Sequence, residues 1–154
     1  MSRRTLLFLC TGNYYRSRFA ELLFNHLAAS QKEIEWRAVS RGLAIELGAR
    51  NEGPISPAAV EGLLKRGIPV GEDFHYPREL EESDLAIANH IVAIKRDEHL
   101  PMLNHRFPGW AERVEFWRVH DVDLTPPDEA LAEIEQNVRR LIDRLRNSRE
   151  TAQS

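Results

Sequence analysis

Cysteine is almost missing from this chain: Cys10 is the one thiol in 154 residues. That excludes an internal disulfide framework and a Cys-rich zinc site. An excess of positive charge is missing too. Lys and Arg number 21 against 24 Asp and Glu, a net charge of −3, which argues against nucleic acid as a partner because phosphate backbones need a basic surface. No apolar run approaches the roughly 18 residues that cross a bilayer, so no membrane partner is expected. Ser2-Arg3-Arg4 precedes too short an apolar stretch for a secretory leader. The six histidines show no ligand spacing with carboxylates, so no metal site is expected. Repeats and low-complexity linkers are also lacking. These absences leave one cytoplasmic globular domain over residues 1–154.

What is present concentrates between Leu6 and Ser17. The apolar run Leu6–Leu9 reads as a buried parallel strand. Ser17 opens an amphipathic helix with apolar positions at Phe19, Leu22, Leu23 and Leu27. The tight turn between them holds Cys10, Gly12, Asn13 and Arg16. Strand-to-helix turns of this kind gather backbone N–H groups into a concavity at the positive end of a helix dipole, which suits a tetrahedral oxyanion. Arg16 can grip two anion oxygens with its planar fork. A thiol placed beneath the anion's central atom is favoured as thiolate by the dipole and the cation. It is then a nucleophile toward phosphorus. The alternative is a small buried core cysteine.

At these residues, Cys10-Thr-Gly-Asn-Tyr-Tyr-Arg-Ser17 followed by Ala20-Glu21, the chain resembles the low-molecular-weight protein tyrosine phosphatase family. That family's usual loop reads C-x-G-N-x-C-R-S-P. Tyr15 stands where members often carry a second cysteine that guards the nucleophile by a reversible disulfide, and Arg18 stands where they carry proline. The resemblance implies that Thr11, Gly12, Asn13, Tyr14, Tyr15, Arg16 and Ser17 bind phosphate. It also implies that Ser17 donates to the thiolate and Asn13 props the loop, while Gly12 supplies backbone freedom.

Further along, Glu35–Ser40 reads as a second strand and Ala44–Ile55 as a loop that walls the cleft in the family. Ser56-Pro57 caps a helix stopped by Gly67. Gly71–Arg78 is a polar loop, Glu79–Ala88 a short helix and Asn89–Ile94 a third strand. The family's A-D-x-I-x-x-M-D pattern is lost here, with Asn89 and Lys95 at its acidic positions. Arg96–Arg106 is helical with a break at Pro101, and Val114–Val119 is a fourth strand. Thr125-Pro-Pro starts a last helix buried through Leu131, Ile134, Val138, Leu141, Ile142 and Leu145, with a frayed tail from Asn147.

Beyond the fourth strand lies His120-Asp121-Val122-Asp123. Sites of open α/β sheets sit at the carboxyl ends of strands, so this segment should face the Cys10 loop. Dephosphorylation needs a proton donor for the leaving oxygen, and a carboxylic acid serves. The family supplies it from a D-P pair after W-x-V-x. Trp117-Arg-Val-His-Asp121 matches that frame with Val122 in place of proline. Asp121 is therefore the expected general acid and Asp123 its rival. A turn-capping role is the alternative for either.

Alternating strands and helices predict an α/β, three-layer fold: a four-stranded parallel sheet with helices on both faces. The resemblance adds the order 2-1-3-4. The expected function is a cysteine-dependent phosphomonoester phosphatase, phosphotyrosine-protein phosphatase-like, working through phosphocysteine without a cofactor. Cys10, Arg16 and Asp121 are its expected catalytic residues. Its substrate is a phosphorylated protein or a small phosphomonoester, and phosphate is its product. Members that act on phosphoarginine carry a small polar residue where this chain has Tyr14. Two alternatives stand beside it. One is an arsenate reductase using an external thiol, and the other a non-catalytic phosphate- or phosphoprotein-binding module.

Overall fold

The structure is a computed structural model that describes residues 4–31, 35–71, 75–119 and 127–153, with side chains to residue 146. The element order is β1 (Arg4–Cys10), α1 (Arg16–Ala29), β2 (Trp36–Gly42), α2 (Pro57–Lys65), α3 (Glu82–Ile87), β3 (His90–Ala93), α4 (Arg96–Arg106), β4 (Val114–Phe116) and α5 (Pro127–Gln153). One parallel sheet forms in the order β2-β1-β3-β4, as expected.

β1 is central because its side chains serve two cores. Leu6, Phe8 and Cys10 point into the layer of α1, α2 and α5, while Leu7 and Leu9 point into the layer of α3 and α4. Leu6 to Leu9 are all fully buried. That explains why the strand is a continuous apolar run rather than an alternating one. Burying each of these side chains contributes roughly 1.5–3 kcal/mol, enough to fix the strand that presents Cys10.

Register places the strand ends. Leu9 and Cys10 pair with Arg41 and Gly42 of β2, and Leu9 pairs with Ala93 of β3. Ile94 N–H then donates to the Leu9 carbonyl at 3.1 Å, and Val119 N–H to the Ile94 carbonyl at 3.2 Å. The chain therefore leaves β1, β3 and the β4 side at one edge of the sheet, where Cys10 sits.

Several boundaries differ from the sequence expectation, among them β3, which is His90–Ala93 rather than Asn89–Ile94, and β4, which ends at Phe116 rather than Val119. α1 starts at Arg16 with Tyr15 as N-cap and no side-chain cap, so the turn after Cys10 is tighter than a Ser17 start implies. α3 starts at Glu82 because the chain before it is tied to the end of β2. There, Gly42 N–H donates to Arg78 O and Leu80 N–H to Gly42 O, both at 2.8 Å. α4 runs unbroken through Pro101, which is exposed, so water can serve the Asp97 carbonyl that proline cannot. α5 continues to Gln153, since Arg, Glu, Ala and Gln have good intrinsic helix propensity.

Candidate active site

The turn after β1 wraps around Asn13. Its φ of 50° lies in the left-handed region, where Asn is among the few side chains tolerated. Gly12 does not carry the positive φ; Asn13 does. The glycine that close packing requires is Gly42. A Cβ there would lie 2.5 Å from Ile45 Cγ2, 2.9 Å from Thr11 O and 3.2 Å from Asn13 Cβ.

Asn13 is fully buried, and its amide orders the site. Arg78 N–H donates to Asn13 Oδ1 at 3.0 Å, which fixes the amide's orientation and leaves two N–H bonds to give. Asn13 Nδ2 donates to Ser17 Oγ at 3.0 Å and to Ser40 Oγ at 2.9 Å. Ser40 Oγ spends its proton on Glu21 Oε1 at 2.5 Å. Ser17 Oγ, with one lone pair occupied by Asn13, lies 2.9 Å from Cys10 Sγ, where it donates its proton once the sulfur is a thiolate. The chain therefore ends with a hydroxyl in place to donate to a thiolate.

The loop's carbonyls face away from the cleft. Cys10 O accepts from Leu43 N–H at 2.9 Å, Thr11 O from Ala44 N–H at 3.0 Å, Tyr14 O from Ser56 N–H at 2.9 Å and Tyr15 O from Phe19 N–H at 3.0 Å. In front lies a cleft of about 410 Å³ floored by Cys10, Thr11, Gly12 and Arg16 and walled by Tyr14, Tyr15 and Leu47. Leu47 stands 68% exposed at its rim. Tyr14 Oη donates to the Glu52 carbonyl at 2.6 Å, pinning its ring to the wall. Tyr15 is half-buried and packs against the α1 core. Burial pushes its phenol up to about 12, with Arg16 pulling the other way, so it stays neutral. Asn13 and Ser17 are fully buried beneath the loop and do not line the cleft.

Several partners were not singled out from the sequence. Glu98, in the first turn of α4, accepts from Thr11 Oγ1 and from Arg16 Nη2, the latter at 2.7 Å. Fully buried His99 backs it, with Nε2 3.0 Å from Glu98 Oε2. Lys95 N–H donates to His99 Nδ1 at 3.0 Å, which puts the ring proton on Nε2. The His99 contact, then Thr11 and Arg16, hold the Glu98 carboxyl well below the usual carboxylate range against its burial. Burial pushes His99 down, so it is neutral. No motif marks Glu98; its place just past the carboxyl end of β3 is the signal that a topological reading could have used. Arg18, in the proline position, is buried with 1% exposure, and its Nη1 lies 2.7 Å from His75 Nε2. Asp121 and Asp123 lie outside the described residues.

A sequence model of the low molecular weight phosphotyrosine protein phosphatases matches residues 5–151. The chain belongs to that family. Within it, the low molecular weight protein tyrosine phosphatase of T. tengcongensis is 27% identical, with 92% of this chain and 99% of that one covered at a TM-score of 0.76. YfkJ from Bacillus subtilis, at 23% identity, covers 96% and 98% at a TM-score of 0.80 and shares the fold. Arsenate reductase 1 of Staphylococcus epidermidis is 28% identical over 133 residues, 79% of this chain and 90% of that protein. A low molecular weight phosphotyrosine phosphatase is a cysteine-based phosphatase acting on phosphorylated substrates, and so is this chain. Among the described residues no helix is long and apolar enough to cross a membrane.

Proposed function

We propose that this phosphatase hydrolyses phosphomonoesters, aryl phosphates of the phosphotyrosine type foremost, through a phosphocysteine at Cys10. The observation that carries this reading is the Ser17 hydroxyl directed at Cys10 Sγ by Asn13. A hydroxyl held this close to the sulfur can stabilise a thiolate before attack and again as leaving group.

In the first step the Cys10 sulfur forms a bond to phosphorus while the ester oxygen departs. The N–H groups of residues 11–16 and the Arg16 guanidinium hold the equatorial oxygens, where transition-state charge gathers. Asp121 gives its proton to the leaving oxygen. In the second step Asp121 takes a proton from water, the water oxygen bonds phosphorus, and the thiolate leaves with phosphate released. Support for Asp121 comes from the Trp117–Asp121 frame and from Val119, which ends its sheet contact at the edge where Cys10 sits. Tyr14, Tyr15 and Leu47 give the cleft apolar walls suited to a ring.

Turnover of p-nitrophenyl phosphate by wild type and Cys10→Ser tests the reading. Cys10→Ser should lose turnover and keep phosphate binding, because the cradle survives while a serine hydroxyl stays protonated. Residual activity within about tenfold of wild type would rule out cysteine catalysis, since a lost nucleophile costs far more.

The staphylococcal relative's name favours one second reading, arsenate reduction. The same cradle fits arsenate. With Cys10 the one cysteine in these 154 residues, an external thiol must attack the Cys10–arsenic adduct, leaving a mixed disulfide and arsenite. Arsenate-dependent thiol oxidation, abolished by Cys10→Ser, would favour it.

A further inference from the structure

We propose that Glu98 is a positioning residue for phosphoryl transfer, holding the Arg16 fork in the plane that meets the transition state. Arg16 starts α1, and its side chain spans several rotatable bonds. An unrestrained guanidinium carries rotamer entropy that must be lost before it can grip an anion. Glu98 removes that freedom in advance. Its Oε2 accepts from Arg16 Nη2 at 2.7 Å, and the two side chains are 11% and 23% exposed, so solvent screens the pair little.

The acid is itself held by contacts other than Arg16. Thr11, a loop residue one position past Cys10, donates to the same Oε2. His99 Nε2 approaches it to 3.0 Å, and His99 is locked by the Lys95 N–H on its other nitrogen. The helix that carries Glu98 is tied to the sheet edge by Arg96 N–H donating to Trp117 O at 2.7 Å. Glu98 thus links both ends of the loop, Thr11 and Arg16, to the layer of α4.

A carboxylate beside a phosphate site opposes ground-state binding of a dianion. Its presence makes sense where the gain is orientation in the transition state rather than affinity. That difference gives a readout a merely structural residue would not move. This inference rests on the phosphatase reading above for its kinetic arm, and its binding arm stands apart from it.

Glu98→Gln and Glu98→Ala are measured for kcat and KM on p-nitrophenyl phosphate, for affinity toward vanadate and inorganic phosphate, and for thermal unfolding. Glu98→Ala should lower kcat by about 10–100-fold and weaken vanadate, a transition-state mimic, by about tenfold, while phosphate affinity holds or tightens. Glu98→Gln, whose amide oxygen still accepts from Arg16 and Thr11, should recover most of the kcat. In an Arg16→Ala background, Glu98→Ala should cost nothing further. An unchanged kcat, losses that add in the double variant, or vanadate and phosphate affinities falling together with the unfolding temperature would overturn the proposal. If wild type hydrolyses no phosphomonoester, the phosphatase reading fails. The two affinities then decide the role of Glu98 alone: weakened vanadate with intact phosphate sustains it, and equal vanadate affinity overturns it.

Discussion

The Cys10 loop is held from two sides by different kinds of bond. On the side of α1 and β2 the support is a chain of buried hydrogen bonds, running from Glu21 through Ser40, Asn13 and Ser17 to the sulfur. On the side of α4 it is a cluster around one carboxylate, in which Glu98 meets Thr11, Arg16 and His99. The first support has no net charge to spare at its centre and sets the direction of protons. The second is ionic and sets the position of a cation. A chain of neutral links between Glu21 and the sulfur is sensitive to the loss of any one donor or acceptor, because each buried group left unsatisfied costs about 1–3 kcal/mol. An ion pair with a strongly held carboxylate resists pH but is vulnerable to loss of charge.

Breaking the first support at its centre should have the largest effect. Asn13→Ala removes three hydrogen bonds and puts alanine at a φ of 50°. We expect kcat/KM to fall by about 10²–10³-fold and stability by about 2–4 kcal/mol, read by steady-state kinetics and chemical denaturation. Gly42→Ala follows, since its Cβ would press on Thr11 O and Ile45 Cγ2. A loss of about 1–3 kcal/mol with a raised KM should appear. Ser17→Ala separates proton direction from architecture. It should cost kcat about 10–100-fold, by losing one preorganised donor, while the unfolding temperature moves little.

The second support should be sharpened by pH. His99 is held neutral by burial and His75 is lowered likewise, whereas unfolded histidine titrates near 6.5. As pH falls below that value the unfolded state binds protons that the native state refuses, so stability drops by up to about 1.4 kcal/mol per pH unit at buried His99 and by less at solvent-screened His75. The Glu98 carboxyl moves oppositely on the scale. Its folded value is depressed, so the stability it confers is complete above the unfolded carboxylate range and lost only in strong acid. Denaturation midpoints from pH 7 to 5 should therefore fall, and His99→Gln should flatten part of that slope. The smallest effect is expected at Tyr14→Phe, which loses only a rim hydrogen bond to Glu52 O. Stability should shift by less than about 1 kcal/mol.

How much of this was legible in the sequence follows the same division. The apolar run Leu6–Leu9, the Cys10–Ser17 turn and the alternation of strands and helices are local patterns, and the sheet followed them. The first support was partly legible, because Asn13 and Ser17 lie within the turn and Glu21 follows one helical turn later, while Ser40 comes from β2. Glu98 was not, because it reaches Arg16 only through the β1–β3 crossover, and contacts at such sequence distance leave no spacing to read. Pro101 misled for a related reason. A proline breaks a helix when its lost partner is buried, and burial is a tertiary property. Arg18 replaces an expected proline, and its pairing with His75 depends on how the chain after α2 folds back.

The account's central claim is that Cys10 becomes covalently bonded to phosphorus. The direct measurement is rapid quench of the enzyme during turnover of radiolabelled p-nitrophenyl phosphate, whose leaving group needs no proton, followed by peptide mapping. Asp121→Asn should be used alongside wild type, since loss of the base in the second step lets the intermediate accumulate. The account predicts label on the peptide containing Cys10, with the lability of a thiophosphate, in amounts that rise in Asp121→Asn and vanish in Cys10→Ser. Turnover with no label on that peptide in either active enzyme, or label that persists in Cys10→Ser, would contradict it.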